Sequence, residues 1–143
     1  MPTSQAHASP LKVLIVDDEP LARDRLRALL SDIAGQLPSE VVGEAGNGLA
    51  ALDILREKPV DVVLADIRMP GMDGIELATH LGRLEKPPAV IFTTAYDNYA
   101  VQAFDLNAVD YLLKPVRTQR LLAALQKVPG PQPDSALLAG IGH

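Results

Sequence analysis

Asp66 is the residue whose position most clearly suggests chemistry. It directly follows the apolar segment 60–65 and precedes a turn rich in proline and glycine. Two more acids, Asp17 and Asp18, follow a second apolar segment, residues 12–16, in the same way. A carboxylate at the end of a buried strand does little for stability but is well placed to bind or react. Because two strand ends both supply acids, the sequence predicts one acidic pocket with a bound cation.

The segments that must position these acids alternate regularly along the chain. Short apolar runs predict five strands, at residues 11–16, 40–43, 60–65, 89–93 and 109–113. Apolar residues three and four apart predict five helices, which begin near Pro20, Leu49, Asp73, Tyr99 and Leu121. This alternation predicts an α/β fold, in which helices cover both faces of a parallel sheet.

The same spacing predicts which side chains face the core in two of the helices. In the first helix, Leu26 and Leu30 are expected inside, with Arg23 and Arg27 on the solvent side. In the fourth helix, residues 99–107, the buried face is expected to consist of Ala100, Ala103 and Phe104.

The composition indicates a globular domain with an aliphatic core. The 143 residues are 48% hydrophobic and 22% charged, a balance typical of such domains. Aromatic residues make up only 3%, so leucine, valine, isoleucine and alanine must fill the core. The absence of cysteine excludes disulfides and thiolate metal sites. The net charge of −5 argues against nucleic-acid binding by this chain alone.

Three regions are expected along the chain. Residues 1–10 are predicted to be a disordered N-terminal segment, and residues 11–128 form the predicted domain. Residues 129–143 begin with three prolines and a glycine in five residues, which predicts a linker or tail. Neither a signal peptide nor a membrane-spanning segment is recognisable, so we expect no membrane contact and a location in a bacterial cytoplasm.

Functional groups of parallel α/β sheets collect at the carboxyl ends of the strands. Besides the three acids, these ends supply the hydroxyls of Thr93 and Thr94 and the amine of Lys114. Close carboxylates repel each other unless a cation relieves them, and an all-oxygen ligand set favours Mg²⁺. A carboxylate beside Mg²⁺ can attack phosphorus and form an aspartyl phosphate. The lysine and a threonine hydroxyl would then bind the phosphate oxygens.

Four sequence motifs together resemble the receiver domain of two-component response regulators. They are VDDEP at 16–20, DIRMPGMDG at 66–74, TTA at 93–95 and YLLKP at 111–115. The resemblance covers about residues 11–128 and is closest to the LytR/AlgR group, whose receivers usually precede a LytTR DNA-binding domain. It implies a flavodoxin-like, doubly wound sheet of five parallel strands in the order 2-1-3-4-5, with five helices.

The resemblance implies that Asp66 is the phosphoacceptor and that a divalent metal binds beside it. Asp18 matches the direct acidic ligand of that metal, and Asp17 matches the acid that assists it, often through water. Asp66 itself and the backbone carbonyl of Arg68 complete the implied ligand set. The implied cofactor is Mg²⁺ or Mn²⁺, and the implied phosphoryl donor is a sensor histidine kinase.

The resemblance also implies a switch around the phosphate. Thr94 matches the switch hydroxyl, Tyr111 the switch aromatic and Lys114 the phosphate-binding lysine. Arg68 and Tyr96 match positions that tune phosphate lifetime, and their bulk predicts slow self-dephosphorylation. Phosphorylation is expected to reshape the face of helix 4, strand 5 and helix 5, through which a homodimer is expected.

Several functions remain open at this point. The chain is expected to be the receiver of a transcription factor, which contacts DNA only through an output domain absent from these residues, or a stand-alone receiver that shuttles phosphate or binds a protein. In both cases it is a regulatory phosphoacceptor and not an enzyme with a separate substrate. A third class is a phosphatase with an aspartyl intermediate. Such enzymes commonly have a second Asp where this chain has Arg68, which argues against this class. A fourth class is a flavin carrier of the same fold. It would need a hydroxyl- and glycine-rich loop after the first strand, where this chain has DDEP at 17–20, so this class is disfavoured as well.

Overall fold

Five strands and five helices alternate along the chain in a computed structural model, which describes residues 9–129. The strands are β1 (Leu11–Val16), β2 (Ser39–Ala45), β3 (Val62–Ala65), β4 (Ala89–Thr94) and β5 (Asp110–Leu113). The helices are α1 (Pro20–Asp32), α2 (Gly48–Glu57), α3 (Gly74–Leu81), α4 (Ala100–Asp105) and α5 (Thr118–Leu125). The predictions for residues 1–8, and for the tail from residue 130 onward, lie outside the described residues.

The strands form one parallel sheet in the order β2-β1-β3-β4-β5, which confirms the predicted fold class and strand order. β1 and β3 lie side by side at the point where the winding of the sheet reverses direction. Val16 pairs with Ala65 at the ends of these two strands. The residues that follow, Asp17 and Asp66, therefore leave the sheet next to each other at its carboxyl edge.

Each face of the sheet has its own aliphatic core. On one face α1 and α5 bury Leu30 and Leu121 in a cluster with Ile15 of β1. On the other face α2, α3 and α4 cover a second cluster, which includes Leu77 and Phe92. Full burial of each such side chain stabilises the fold by about 1.5–3 kcal/mol. None of the helices in the described part of the chain has both the length and the apolar character to span a bilayer.

Polar side chains cap two of the helices, α2 and α3, and a proline begins α1. Asn47 caps α2 by accepting a hydrogen bond from the Ala50 amide at 2.8 Å. Asp73 and Glu76 form a reciprocal capping box at the start of α3. Pro20 lies in the first turn of α1, where its missing N–H removes no helical hydrogen bond.

The fourth helix differs from its prediction in length and in orientation. α4 has only six residues, and of the three side chains expected to face inward only Ala103 is buried. Phe104 is 81% exposed, and Ala100 is exposed as well. Tyr99, Ala103 and Leu106 instead pack toward the sheet. Both sets of positions have helical spacing, so the sequence pattern alone does not distinguish them.

Strand boundaries also differ from their predictions by one or two residues. β3 begins at Val62 and not at residue 60. The residue before it, Asp61, still bonds to β1, because its amide donates to the Lys12 carbonyl at 2.8 Å and its carboxylate accepts a hydrogen bond from the Lys12 amide at 2.7 Å. β2 is longer than predicted, and β5 starts at Asp110. The peptide bond between Lys114 and Pro115, which follows β5, is cis.

Candidate functional site

Three acids meet at the carboxyl edge of the sheet, where the sequence predicts an acidic pocket. Oxygens of Asp17, Asp18 and Asp66 all lie within 4.8 Å of one another. The first two follow β1 and the third follows β3, and these two strands are neighbours in register. The predicted gathering of the acids is therefore present in the fold.

The three acids differ in burial and in hydrogen bonding. Asp17 is fully buried and Asp66 is almost fully buried, whereas Asp18 is exposed. One oxygen of Asp17 accepts the Glu19 amide at 2.9 Å, and one oxygen of Asp66 accepts the amide of Ile67 at 2.7 Å. Among the described residues, no side-chain hydrogen bond or ion pair involves Asp18. Its carboxylate is thus the one that faces solvent and is free to bind a ligand.

Lys114 joins the two buried acids. Its ammonium nitrogen donates hydrogen bonds to Asp17 Oδ2 at 2.8 Å and to Asp66 Oδ2 at 3.0 Å. A third acid, Glu19, lies 4.0 Å from the same nitrogen. Partial burial alone would lower the pKa of Lys114, but the hydrogen bonds to Asp17 and Asp66 outweigh it and raise the pKa. The lysine therefore stays charged at neutral pH and compensates the buried carboxylates.

The donor set fits a hard divalent cation. Three carboxylates whose oxygens lie within 4.8 Å of one another, with one of them open to solvent, suit an oxygen-ligated ion that keeps several waters. The described residues thus provide the acid cluster that the sequence predicts for Mg²⁺. The part played by the backbone carbonyl of Arg68 stays a prediction.

Thr94 and Tyr111 lie on the β4 side of the pocket, linked through one loop. Thr94 is fully buried, and its hydroxyl accepts a hydrogen bond from the Tyr96 amide at 3.3 Å. The Tyr111 hydroxyl donates to the Tyr96 carbonyl and accepts from the Tyr99 amide at 3.3 Å. The Tyr111 ring meets Phe92 edge to face, with centroids 6.4 Å apart. Burial, together with nearby carboxylates, raises the pKa of Tyr111, so this hydroxyl keeps its proton and can donate.

Thr93, the neighbour of the proposed switch residue, differs from Thr94 in one respect. It is fully buried, but within residues 9–129 its hydroxyl has no hydrogen-bond partner. Alternation along β4 points its side chain to the opposite face of the sheet from Thr94. The choice of Thr94 over Thr93 as the switch residue stays a prediction.

Arg68 and Tyr96 contact each other across the rim of the pocket. The guanidinium carbon of Arg68 lies 4.5 Å from the centroid of the Tyr96 ring, a cation–π geometry. Both residues are exposed. The loops that follow β3 and β4 are thereby joined at their tips.

Arg23 belongs to the surroundings of the site, contrary to the prediction that it faces only solvent. Its Nη1 donates to the Asp17 carbonyl oxygen at 2.6 Å, and its Nε donates to Glu44 Oε1 at 2.9 Å. The spacing of charges on a helix does not reveal a hydrogen bond to a backbone carbonyl in another segment. The one sequence feature that could indicate this placement of Arg23 is Glu44, an acid near the end of β2 that can pair with the arginines of α1.

The fold and the site together define a receiver domain, and the chain belongs to that family. The family described as "Response regulator receiver domain" matches residues 13–126. Such a domain is a regulatory phosphoacceptor. The family prediction, with its likeness to the LytR/AlgR group, is confirmed by the relatives that follow.

Two curated proteins and one solved structure illustrate the similarity. The chain is 50% identical over 121 residues to the positive alginate biosynthesis regulatory protein of Pseudomonas aeruginosa, and this match covers 85% of this chain and 48% of that protein. It is 45% identical over 118 residues to the transcriptional regulatory protein LytR of Staphylococcus aureus, and this match covers 82% of this chain and 47% of that protein. The response regulatory domain of mrkE from Klebsiella pneumoniae has a TM-score of 0.75 and 38% identity, covering 82% of this chain and 94% of that chain. The chain spans about half the length of the curated relatives it matches.

Proposed function

We propose that this chain is a phosphorylation-dependent switch, in which Asp66 accepts a phosphoryl group from the phosphohistidine of a sensor histidine kinase. The observation that carries the proposal is the Lys114 ammonium, which binds the buried carboxylates of Asp17 and Asp66 at 2.8 and 3.0 Å. Buried ion pairs contribute weakly to stability because desolvation offsets their attraction. A cluster of this kind at a strand edge is therefore better explained by chemistry.

The residues of the site supply what phosphoryl transfer needs. Asp17, Asp18, Asp66 and the Arg68 backbone carbonyl would hold Mg²⁺ or Mn²⁺, which would supply positive charge to neutralise the phosphoryl group. An oxygen of Asp66 forms the new O–P bond while the N–P bond of the phosphohistidine breaks and the leaving imidazole takes up a proton. The added group carries up to about two negative charges. Lys114, already within hydrogen-bonding distance of Asp66, binds one of the new oxygens.

Phosphorylation by acetyl phosphate in the presence of Mg²⁺ tests the acceptor. Intact mass spectrometry should show one added phosphoryl group on the wild type and none on Asp66→Asn. Asp53→Asn is the matched control, because Asp53 is an exposed carboxylate on α2, and it should be phosphorylated like the wild type. Phosphorylation of Asp66→Asn to the wild-type level would overturn the assignment.

The phosphate switches the domain through Thr94 and Tyr111. Thr94 moves toward the phosphate oxygens, and Tyr111 turns inward to fill the space that it leaves. This movement exchanges the hydrogen bonds between Tyr111 and the loop at Tyr96 and Tyr99 for internal packing. To turn a mostly inactive population into a mostly active one, the phosphate must favour the active state by roughly 5 kcal/mol.

Arg68 and Tyr96 lengthen the lifetime of the phosphate by shielding it from water. Their cation–π contact covers the pocket rim from both loops. Arg68→Ala and Tyr96→Ala should each shorten the half-life of the phosphorylated protein after acetyl phosphate is removed. Arg83→Ala, which changes an exposed arginine beyond α3, is the control. Unchanged half-lives in the first two variants would contradict this role.

The switch controls an output domain of the LytTR DNA-binding type in a cytoplasmic protein. The names of the two curated relatives, both regulatory proteins, and the half-length match to them support this output. A stand-alone receiver that shuttles phosphate is the competing function. The gene sequence downstream of residue 143 distinguishes the two, because a DNA-binding domain encoded there supports the first and a stop codon supports the second.

Phosphorylation also favours a homodimer through α4, β5 and α5. Two large apolar side chains on α4, Val101 and Phe104, are 75% and 81% exposed on this face and would be covered by a second copy. Sedimentation velocity with and without beryllofluoride, a phosphate mimic, tests this. An unchanged sedimentation coefficient at high protein concentration would contradict it.

A further inference from the structure

Arg23 ties the strand end that carries the acids to two other elements. From α1, it donates to the Asp17 carbonyl oxygen at 2.6 Å and to Glu44, near the end of β2, at 2.9 Å. Its side chain is only 21% exposed. The Asp17 amide donates to the Ala45 carbonyl at 2.9 Å, so the backbone of Asp17 is held on both sides of its Cα atom.

The orientation of Asp18 depends on this backbone more than on its own side chain. The Asp17 carbonyl and the Asp18 amide belong to one planar peptide group. Fixing the carbonyl oxygen therefore fixes the plane from which Asp18 leaves the strand end. Asp17 has further restraints, because its carboxylate binds the Glu19 amide and Lys114. The exposed Asp18 carboxylate has no such side-chain partner among the described residues.

Arg27 provides an internal comparison, because it shares one partner with Arg23 and lacks the other. Arg27 lies one turn further along α1 and also forms an ion pair with Glu44. Its side chain is 49% exposed, and it makes no hydrogen bond to Asp17 within the described chain. Loss of either arginine removes an ion pair to Glu44, but only loss of Arg23 frees the Asp17 carbonyl.

We infer that Arg23 is a positioning residue of the metal site, which sets the direction of the Asp18 carboxylate by binding the Asp17 carbonyl. The inference rests on the proposed function, because it assumes that a divalent cation binds Asp17, Asp18 and Asp66. Residues that orient metal ligands through hydrogen bonds typically change metal affinity by about 10- to 100-fold when they are lost. Arg23 touches neither the metal position nor the phosphoryl group, so its loss should weaken metal binding and leave the chemistry intact.

Metal affinity of Arg23→Gln and Arg27→Gln tests the inference directly. Isothermal titration with Mg²⁺, and Mn²⁺ binding followed by electron paramagnetic resonance, should show a dissociation constant about tenfold higher for Arg23→Gln. Arg27→Gln should stay within about twofold of the wild type, since it removes only an exposed ion pair. Arg23→Gln should lose somewhat more thermal stability than Arg27→Gln, because it also loses the hydrogen bond to the Asp17 carbonyl.

Kinetics with acetyl phosphate provide a second readout. The Mg²⁺ concentration for half-maximal phosphorylation should rise about tenfold in Arg23→Gln, in parallel with the dissociation constant. The rate at saturating Mg²⁺ should stay near that of the wild type. For Arg23→Lys, the Mg²⁺ concentration for half-maximal phosphorylation should lie between the values of the wild type and Arg23→Gln, because one ammonium group does not reproduce the two fixed donors of the guanidinium.

The outcomes separate this inference from the proposed function. If the wild type binds Mg²⁺ but Arg23→Gln and Arg27→Gln bind it equally well, the role of Arg23 is refuted and the acceptor site stands. If the wild type binds no divalent cation, both are refuted. If Arg23→Gln does not fold, Arg23→Lys is measured instead, and a wild-type Mg²⁺ affinity in that variant overturns the inference.

Discussion

Replacing Gly74 with alanine should destabilise the domain, because the first residue of α3 touches the backbone of the proposed phosphoacceptor. A Cβ atom at this position would lie 2.2 Å from the Asp66 carbonyl oxygen and 2.9 Å from the Ile67 Cα atom. The Gly74 amide also donates a hydrogen bond to the Ile67 carbonyl at 2.7 Å. These are backbone atoms, so rotation of a side chain does not relieve the clash, and α3 must move away from the strand end.

The magnitude follows from three contributions to the free energy of unfolding. Overpacking in a tight site costs about 1–3 kcal/mol, and weakening the amide hydrogen bond costs about 1 kcal/mol. The lower entropy of the unfolded alanine variant offsets about 0.4–1 kcal/mol. The expected net loss is about 1–3 kcal/mol. Because the displaced backbone includes Asp66, phosphorylation by acetyl phosphate should also slow under conditions where the variant is fully folded.

Urea unfolding followed by circular dichroism measures the loss, and the other end of α3 supplies the control. At Gly82 an added Cβ would lie 3.6 Å from the nearest atoms, the carbonyl oxygens of Ala78 and Thr79. The φ angle of Gly82 is −63°, which alanine adopts readily. Gly82→Ala should match the wild type or gain up to about 1 kcal/mol. If Gly74→Ala proves as stable as Gly82→Ala, the steric reasoning is refuted.

Three further predictions concern single polar groups. The hydrogen bond from Arg120, aided by one from Lys127, holds the pKa of Asp110 well below its usual range, so Asp110→Asn should cost about 1 kcal/mol at pH 7. This difference should shrink as the pH falls below about 4, because Asp110 then takes up a proton in the unfolded wild type while the ion pairs keep the folded carboxyl ionised. Denaturation of both proteins at pH 7 and pH 3 checks this, and an equal difference at the two pH values would contradict it. Thr93→Val removes a buried hydroxyl that has no partner in the described chain, so the unfolding free energy should rise by about 1 kcal/mol; a loss of stability would show that the hydroxyl is satisfied. Lys114→Met removes the cation between two buried carboxylates. Calorimetry should then show Mg²⁺ binding about tenfold tighter, because the repulsion of about 1–4 kcal/mol between the ammonium and the metal ion is lost. Weaker binding would count against a site in which Lys114 and the metal share these carboxylates.

The architecture and the gathering of the acids were accessible from the sequence because they depend on strong, periodic signals. Alternating strands and helices require a parallel sheet covered on both faces. The carboxyl ends of such strands share one edge, so Asp17 and Asp66 had to lie on the same side of the sheet. That β1 and β3 are neighbours came from the family resemblance, since the alternation itself allows several strand orders.

The features that escaped prediction depend on contacts between distant segments or on a choice between equivalent registers. Two sets of positions in α4 have the same helical spacing, and packing against the sheet selects the one with Tyr99, Ala103 and Leu106. The hydrogen bond from Arg23 to the Asp17 carbonyl involves a backbone atom, so only the acid that Arg23 also binds, Glu44, could indicate it in the sequence. The hydrogen bond from the Lys12 amide to the Asp61 carboxylate likewise joins two distant segments.

α4 is held to the sheet less tightly than α1. Its one buried side chain, Ala103, is small, and Tyr99 and Leu106 at its ends are only partly buried. α1, by comparison, buries three leucines, Leu26, Leu29 and Leu30. Segments with so little anchoring open most often in native proteins. In the proposed switch, a movement of Thr94 at the end of β4 would therefore displace α4 more readily than α1.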